Sequence, residues 1–359
     1  MLFFTAVIFL TRLPVPRWCE ADHHPAYLMR SMQHFPLLGF LIALWIVLWL
    51  EAARILWSPG VAVALSTLAG VWLTGAFHED GLADTFDAFG GGWGRAQILR
   101  ILKDTRVGTY ALVGMVLVLA MKTRTLEHLL LVAPDPQVVA LPLTDGAWAV
   151  PLSSASVALL VAHTVSRWTS IPLIYCCTYI QDEEVGWWLA CFFHTYGCIH
   201  VMPSVGHQTF DTNNNKYTSI YGNTPQDSKR HLYNWFADSK KLLTIPRLLF
   251  GTACTVAVPY YLLSPEKALL VLGTVVGTTV MAAHYGNFIL GGVVGDFLGA
   301  TIQVTEVLVY LMLTANLEAA KQNLTPFTIL AACAALPILN SRPIVDYSSK
   351  IPPNCPHTC

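Results

Sequence analysis

The chain has 359 residues, of which 54% are hydrophobic and only 12% charged, with a formal net charge of −1 and a mean hydropathy of +0.52. Soluble domains carry about 25% charged residues; the deficit here runs along the whole chain, which excludes a disordered, fibrous or ordinary cytosolic protein and predicts an all-α, polytopic helical bundle in the lipid bilayer. The near-neutral charge supplies no field for nucleic acid, and no nucleic-acid partner is expected.

In chain order, the opening MLFFTAVIFL is apolar but too short to span. Arg12 follows this stretch rather than preceding it, the reverse of a signal-peptide n-region. About 20 apolar residues are needed to cross roughly 30 Å of hydrocarbon as a helix. Runs poor in Asp, Glu, Lys and Arg predict spans at 35–50, 56–77, 107–121, 146–166, onward past Arg167 to 181, 248–265, 268–295 and 322–341. That makes about six to eight transmembrane helices, with 56–77 the cleanest run at 22 residues.

Two hydrophilic stretches interrupt this map. Residues 78–106 hold five acids and four bases, and 211–247 hold six Lys or Arg against three Asp. The second is net positive and without periodicity, as expected of a cytoplasmic loop. Arg12, Arg17 and Arg30 place the 78–106 side in the cytoplasm by the same rule. The chain therefore reads as one helical membrane domain over 1–341, with a catalytic loop at 78–106, a polar loop at 211–247 and a disordered tail at 342–359. The nine cysteines show no CxxC pair and read as free thiols.

HEDGLADTFD, residues 78–87, is the most informative segment. Asp80, Asp84 and Asp87 are spaced i, i+4, i+7 and fall within about 60° of one helix face. Three carboxylates on one face repel unless solvent or a cation neutralises them. Oxygen ligands without His or Cys at ligand spacing suit Mg²⁺ or Mn²⁺ rather than Zn²⁺. A solvated acidic helix start is the competing reading.

GGGWG follows at 90–94 and suits either a flexible loop or close approach of amides to an anion. Beyond it, Arg95, Arg100, Lys103, Asp104 and Arg106 lie on or beside an amphipathic stretch, as in a phosphate site or an interfacial helix with snorkelling bases. Carboxylates that hold divalent ions, with bases around a diphosphate, are what phosphoryl transfer requires. No GxxxxGK[ST] loop is present, so a P-loop NTPase is not expected.

Near the other end, GGVVGDFLGA at 291–300 carries Asp296, the one Asp, Glu, Lys or Arg between Lys267 and Glu306. An Asp at membrane depth costs a few kcal/mol unless paired or hydrated. Glycine-mediated helix packing is the alternative. Arg167, between apolar runs, reads as a topology anchor or a substrate contact.

FLTRLPVP (9–16), FPLLG (35–39), FHEDGLADTFD (77–87), ILKDTRVGTY (101–110) and GGVVGDFLGA (291–300) occur in the order found in the cobalamin synthase family. The chain resembles that family densely over 3–122, sparsely around Arg167, and again at about 284–313. The resemblance implies an integral membrane adenosylcobinamide-GDP ribazoletransferase of a bacterial-type inner membrane, with Mg²⁺ as cofactor. Its substrates would be adenosylcobinamide-GDP and α-ribazole or its 5′-phosphate, and GMP would leave. By position, Asp80, Asp84, Asp87 and Asp296 would be metal ligands, and Asp80, Asp84 and Asp104 catalytic. Lys103 and Arg106 would contact the diphosphate, with His78, Arg167 and Gly295 also binding substrate. Association with other cobalamin-assembly enzymes follows from pathway logic.

The chain departs from the family where Gln181 and Asp182 follow Tyr179, and where Asn287, Phe288 and Ile289 precede the GG at 291, because bases are common there. Residues 183–247 and those after Asn340 match nothing expected. Two other readings stand beside this one. DGLAD is similar to the start of the CDP-alcohol phosphotransferase motif, although Asp84 stands where that motif has Arg. A cation-coupled transporter would use Asp80, Asp84 and Asp296 inside a pore.

Overall fold

The computed structural model describes residues 1–15, 25–132, 152–180, 209–211, 216–218 and 242–315. In chain order the helices are α1 (Leu2–Leu10), α2 (Pro25–Ser31), α3 (Phe35–Leu56), α4 (Pro59–Thr74), α5 (Phe77–Gly91), α6 (Arg95–Ile101), α7 (Thr109–Leu131), α8 (Ser154–Trp168) and α9 (Ser170–Cys176). After them come α10 (Ile245–Leu262), α11 (Pro265–Leu290) and α12 (Gly295–Thr314). Among the described residues, five helical stretches are long and apolar enough to cross a membrane: Tyr27–Leu56, which joins α2 to α3, then α7, Ser154–Cys176, which joins α8 to α9, then α11 and α12. A bent pair, α4 with α5, makes a sixth if counted as one span. The predicted 322–341 span and the 342–359 tail lie outside the described residues.

The local signals are those that start and stop helices. Pro sits in the first turn of α3, α4, α10 and α11, where its missing N–H costs nothing. Ser153 caps α8 by accepting from the Ser156 N–H at 3.1 Å. Glu51, near the end of the α3 span, accepts from Ser153 Oγ at 3.0 Å and Ser156 Oγ at 2.6 Å and pairs with Arg54 at 2.7 Å. The acid that interrupts the first predicted span therefore ties α3 to the start of α8. Along α7 and α11, Leu112, Leu117, Leu269, Val280 and Met281 face outward, as lipid contact requires. Helix α8 is buried almost all round and forms the centre of the bundle, against α3, α12, α10 and α7.

Two expectations are corrected. The 56–77 run is not one straight span. Helix α4 stops at Thr74; Gly75 (φ 66) and Ala76 (φ 60) are both left-handed, and α5 leaves at 90°. Arg12 holds this corner: its N–H donates to Leu73 O at 2.8 Å and its guanidinium to Gly75 O at 3.2 Å. It fills the space a Cβ on Gly75 would take. Apolar composition hid the break because neither Gly75 nor Ala76 is polar.

The 78–106 stretch, predicted as a loop, carries α5 and α6. The architecture is the all-α helical bundle expected, with one short strand pair beside it. Strands β1 (Thr209–Asp211) and β2 (Lys216–Thr218) pair antiparallel, with Phe210 opposite Tyr217. Tyr179 and Val293 form an isolated parallel bridge. Among the described residues, Cys176, Cys177 and Cys254 form no disulfide, in line with the thiol reading.

Candidate functional site

The 90° corner at Gly75 and Ala76 turns α5 across the bundle and sets its acids against the start of α12. Gly81 and Gly299 make the crossing. A Cβ on Gly81 would lie 2.9 Å from Asp296 O and 3.0 Å from Asp296 Cα, and one on Gly299 3.6 Å from His78 Cα. At Gly81 only glycine permits so close an approach, while at Gly299 a methyl group would make an ordinary contact. Asp80 is exposed, while Asp84, Asp87 and Asp296 are partly buried. The charges acting on Asp84 are those of Asp296, Asp80 and Asp87, and Asp80 acts in turn on Asp296. Four acids 80 to 296 in sequence thus share one electrostatic field. Gly295 opens α12 at the surface beside them, and a Cβ there would sit 3.3 Å from the Tyr179 hydroxyl.

The other predicted residues have different placements. Asp87 caps α7: one oxygen accepts from the Gly108 N–H at 2.6 Å and the other from the Ala111 N–H at 2.8 Å. It satisfies two of that helix's unpaired amides and complements its dipole. Asp104 is not among the charges acting on Asp84. It forms a bidentate pair with Arg106, 2.6 Å from Nη2 and 2.9 Å from Nε, and the Arg106 guanidinium holds its carboxyl down at about 2. Asp104 therefore orients Arg106 rather than joining the acid cluster. Lys103 is exposed on the turn after α6. The glycine run is no open anion cradle, because Gly90 and Gly91 end α5 and a Cβ on Gly90 would lie 2.6 Å from the Tyr110 ring.

His78 and Arg167, expected at the substrate, are each only 1% exposed. Both face the bundle core, where Arg167 pairs with the fully buried Glu306 and donates to Ser166 Oγ at 3.0 Å. Lys122 Nζ reaches the second Glu306 oxygen at 2.6 Å and Gln303 Oε1 at 2.9 Å. His163 Nδ1 lies 3.2 Å from Glu306, and Gln303 Nε2 donates to Glu79 Oε1 at 2.9 Å. A small cavity touches Glu79, Lys122, His163, Arg167 and Tyr310. The sequence reading missed Glu79, Lys122, His163 and Gln303 as members of this network. Part of the signal was there: Glu306 is an isolated charge in an apolar helix, and such a charge pairs inside a bundle, whereas Lys122 stands beside Arg124 and Glu127. Arg95, one of the bases of the 95–106 stretch, has its Cζ 3.9 Å from where a Cβ on Gly291 would be, which brings a base to the segment that has none at 287–289.

Among the described residues, no three His, Cys, Asp or Glu side chains gather closely enough to hold a metal ion unaided. The all-oxygen set of Asp80, Asp84 and Asp296 still fits Mg²⁺, which keeps most of its waters and takes one or two carboxylates plus substrate phosphates.

A profile of the cobalamin-5-phosphate synthase family matches residues 2–202 and 219–314. A relative in Shewanella oneidensis (strain ATCC 700550 / MR-1), named adenosylcobinamide-GDP ribazoletransferase, is 43% identical over 186 residues, covering 51% of this chain and 62% of its own length. One of the same name in Shewanella baltica (strain OS155) is 44% identical over 186 residues, with the same coverage. The chain thus spans about three fifths of the length of the curated relatives it matches. No solved structure matches.

Proposed function

The chain belongs to the cobalamin-5-phosphate synthase family, and we propose that it transfers the adenosylcobinamide-phosphate group of adenosylcobinamide-GDP to α-ribazole or its 5′-phosphate. A ribose hydroxyl of the acceptor attacks the phosphorus that carries cobinamide. A new P–O ester bond forms, the P–O bond to the GMP phosphate breaks, and GMP leaves with the electron pair. The observation that carries this reading is the meeting of Asp80 and Asp84 on α5 with Asp296 on α12, in a chain of this family.

Mg²⁺ would be held by one or two carboxylates among Asp80, Asp84 and Asp296 and would supply positive charge to the diphosphate. Arg106, steadied by Asp104, and Arg95 and Lys103 would neutralise the remaining phosphoryl oxygens. The amides opening α12 at Gly295 add donors at a positive helix end. Asp84 would take the proton from the attacking hydroxyl. Asp87 sets α7 against α5. His78 and Arg167, being buried, are assigned to the core and not to substrate.

The acid-bearing end would face the cytoplasm of a bacterial-type inner membrane, supported by Arg12, Arg17 and Arg30. An enzyme supplying the GDP-activated corrinoid is the natural partner. No feature of the site favours a CDP-alcohol phosphotransferase or a transporter.

The test is GMP release by the protein in liposomes given adenosylcobinamide-GDP and α-ribazole, with Mg²⁺ or with EDTA. Metal- and ribazole-dependent GMP and a new corrinoid product are expected. A folded protein that releases no GMP would overturn the reading.

A further inference from the structure

The acids of the site lie on two helices that approach closely at Gly81 and Gly299. The two helices also meet through the Phe89 and Phe297 rings, 5.8 Å apart, but these contacts are apolar and non-directional. A polar fixed point sets the register, and the core supplies one. Gln303 lies seven residues beyond Asp296, two turns along the same face of α12. Its Nε2 donates to Glu79 Oε1 at 2.9 Å, and Glu79 immediately precedes Asp80. Its Oε1 accepts from Lys122 Nζ at 2.9 Å, and Lys122 is held in turn by Glu306. Gln303 is 2% exposed.

An amide carries a donor and an acceptor at one planar end, so it can join a carboxylate to an ammonium. A carboxylate in its place would keep Lys122 but face Glu79 with like charge. An apolar side chain of similar length would bond to neither.

We propose that Gln303 is a positioning residue: through Glu79 it fixes the register of α5 on α12, and with it the separation of Asp80 and Asp84 from Asp296 that sets the divalent-ion affinity of the site. This rests on the metal-dependent reading given above. Gln303 touches no reacting atom and acts only through the acids it places.

The test titrates the full chain in detergent with Mn²⁺ alone, reading free ion by electron paramagnetic resonance, and follows GMP release separately. Gln303→Glu and Gln303→Met are expected to weaken Mn²⁺ binding roughly 10–100-fold, as loss of a group that orients metal ligands does. In GMP release the Mg²⁺ requirement rises while KM for α-ribazole stays at the parental value. The exchange Glu79→Gln/Gln303→Glu turns the acid–amide–base chain into amide–acid–base, with the carboxylate at 303 accepting from both the amide at 79 and Lys122, and is expected to recover Mn²⁺ affinity.

A folded Gln303→Met protein that binds Mn²⁺ as the parent does overturns the proposal, as does a folded exchange variant that recovers nothing. Gln303→Met adds no charge, so it keeps the test decisive if Gln303→Glu does not fold. A parent that binds no Mn²⁺ removes the metal site and this proposal together. A parent that binds Mn²⁺ and releases no GMP removes the transferase reading and leaves the positioning role to be judged on affinity.

Discussion

Asp84 is the acid on which the charges of Asp80, Asp87 and Asp296 all act, and the proposed chemistry turns on it. Asp84→Asn keeps the size of the side chain and removes its charge. Metal-dependent GMP release should fall by roughly 10²–10³-fold, the scale seen when a transition-state charge contact is lost, while detergent gel filtration shows an unchanged folded protein. Full activity in that variant would end the ligand assignment.

Asp104 gives a second measurement at this scale. Its carboxyl sits at about 2 rather than 3.8 because Arg106 bonds to it. A depressed value means that the pair is complete above 3.8 and is lost as pH falls through about 2. A carboxyl carbon shift followed by NMR should therefore stay flat well below the usual carboxylate range. Arg106→Ala should return the midpoint towards 3.8.

At the scale of the element, the α5–α12 crossing admits no side chain at Gly81. Gly81→Ala puts a methyl group 2.9 Å from Asp296 O, so one helix must shift. The expected cost is about 1–3 kcal/mol, as for other overpacked sites, read as a lower thermal midpoint in detergent. Mn²⁺ affinity should fall with it, since the displaced backbone is that of Asp296.

The acids were legible in the sequence because they are rare in an apolar chain and fall at helical spacing. The corner that aims them was not. The break at Gly75 and Ala76 lies inside the cleanest apolar run, and its stabiliser, Arg12, is 63 residues away from Gly75. Asp87 shows the converse: its spacing marked it as one of a set, whereas its two bonds to α7 depend on a neighbour that spacing cannot reveal.

At the scale of the whole molecule, one buried network joins α5, α7, α8 and α12. Glu306 faces both Lys122 and Arg167. Glu306→Gln would leave two buried cations short of their shared partner, and such losses cost about 3–5 kcal/mol. A lower unfolding midpoint in detergent should appear, with greater loss than in Lys122→Met, which removes a cation and leaves Arg167 on Glu306. An equal or smaller loss would show that the carboxylate is not the hub. This network escaped the sequence reading for a plain reason: Lys122 and Glu306 stand 184 residues apart, and their pairing exists only once the helices pack. The membrane architecture, by contrast, was legible from composition alone, because lipid admits little but helices in a chain of this hydropathy.

The grip of Arg12 on the end of α4 also bears on how the chain is made. At 16 residues α4 is short for crossing a bilayer alone. Residues 2–12 leave the ribosome before α4 does, so the guanidinium that closes the corner is already made when the corner forms. Order of synthesis and order of assembly run the same way at this turn.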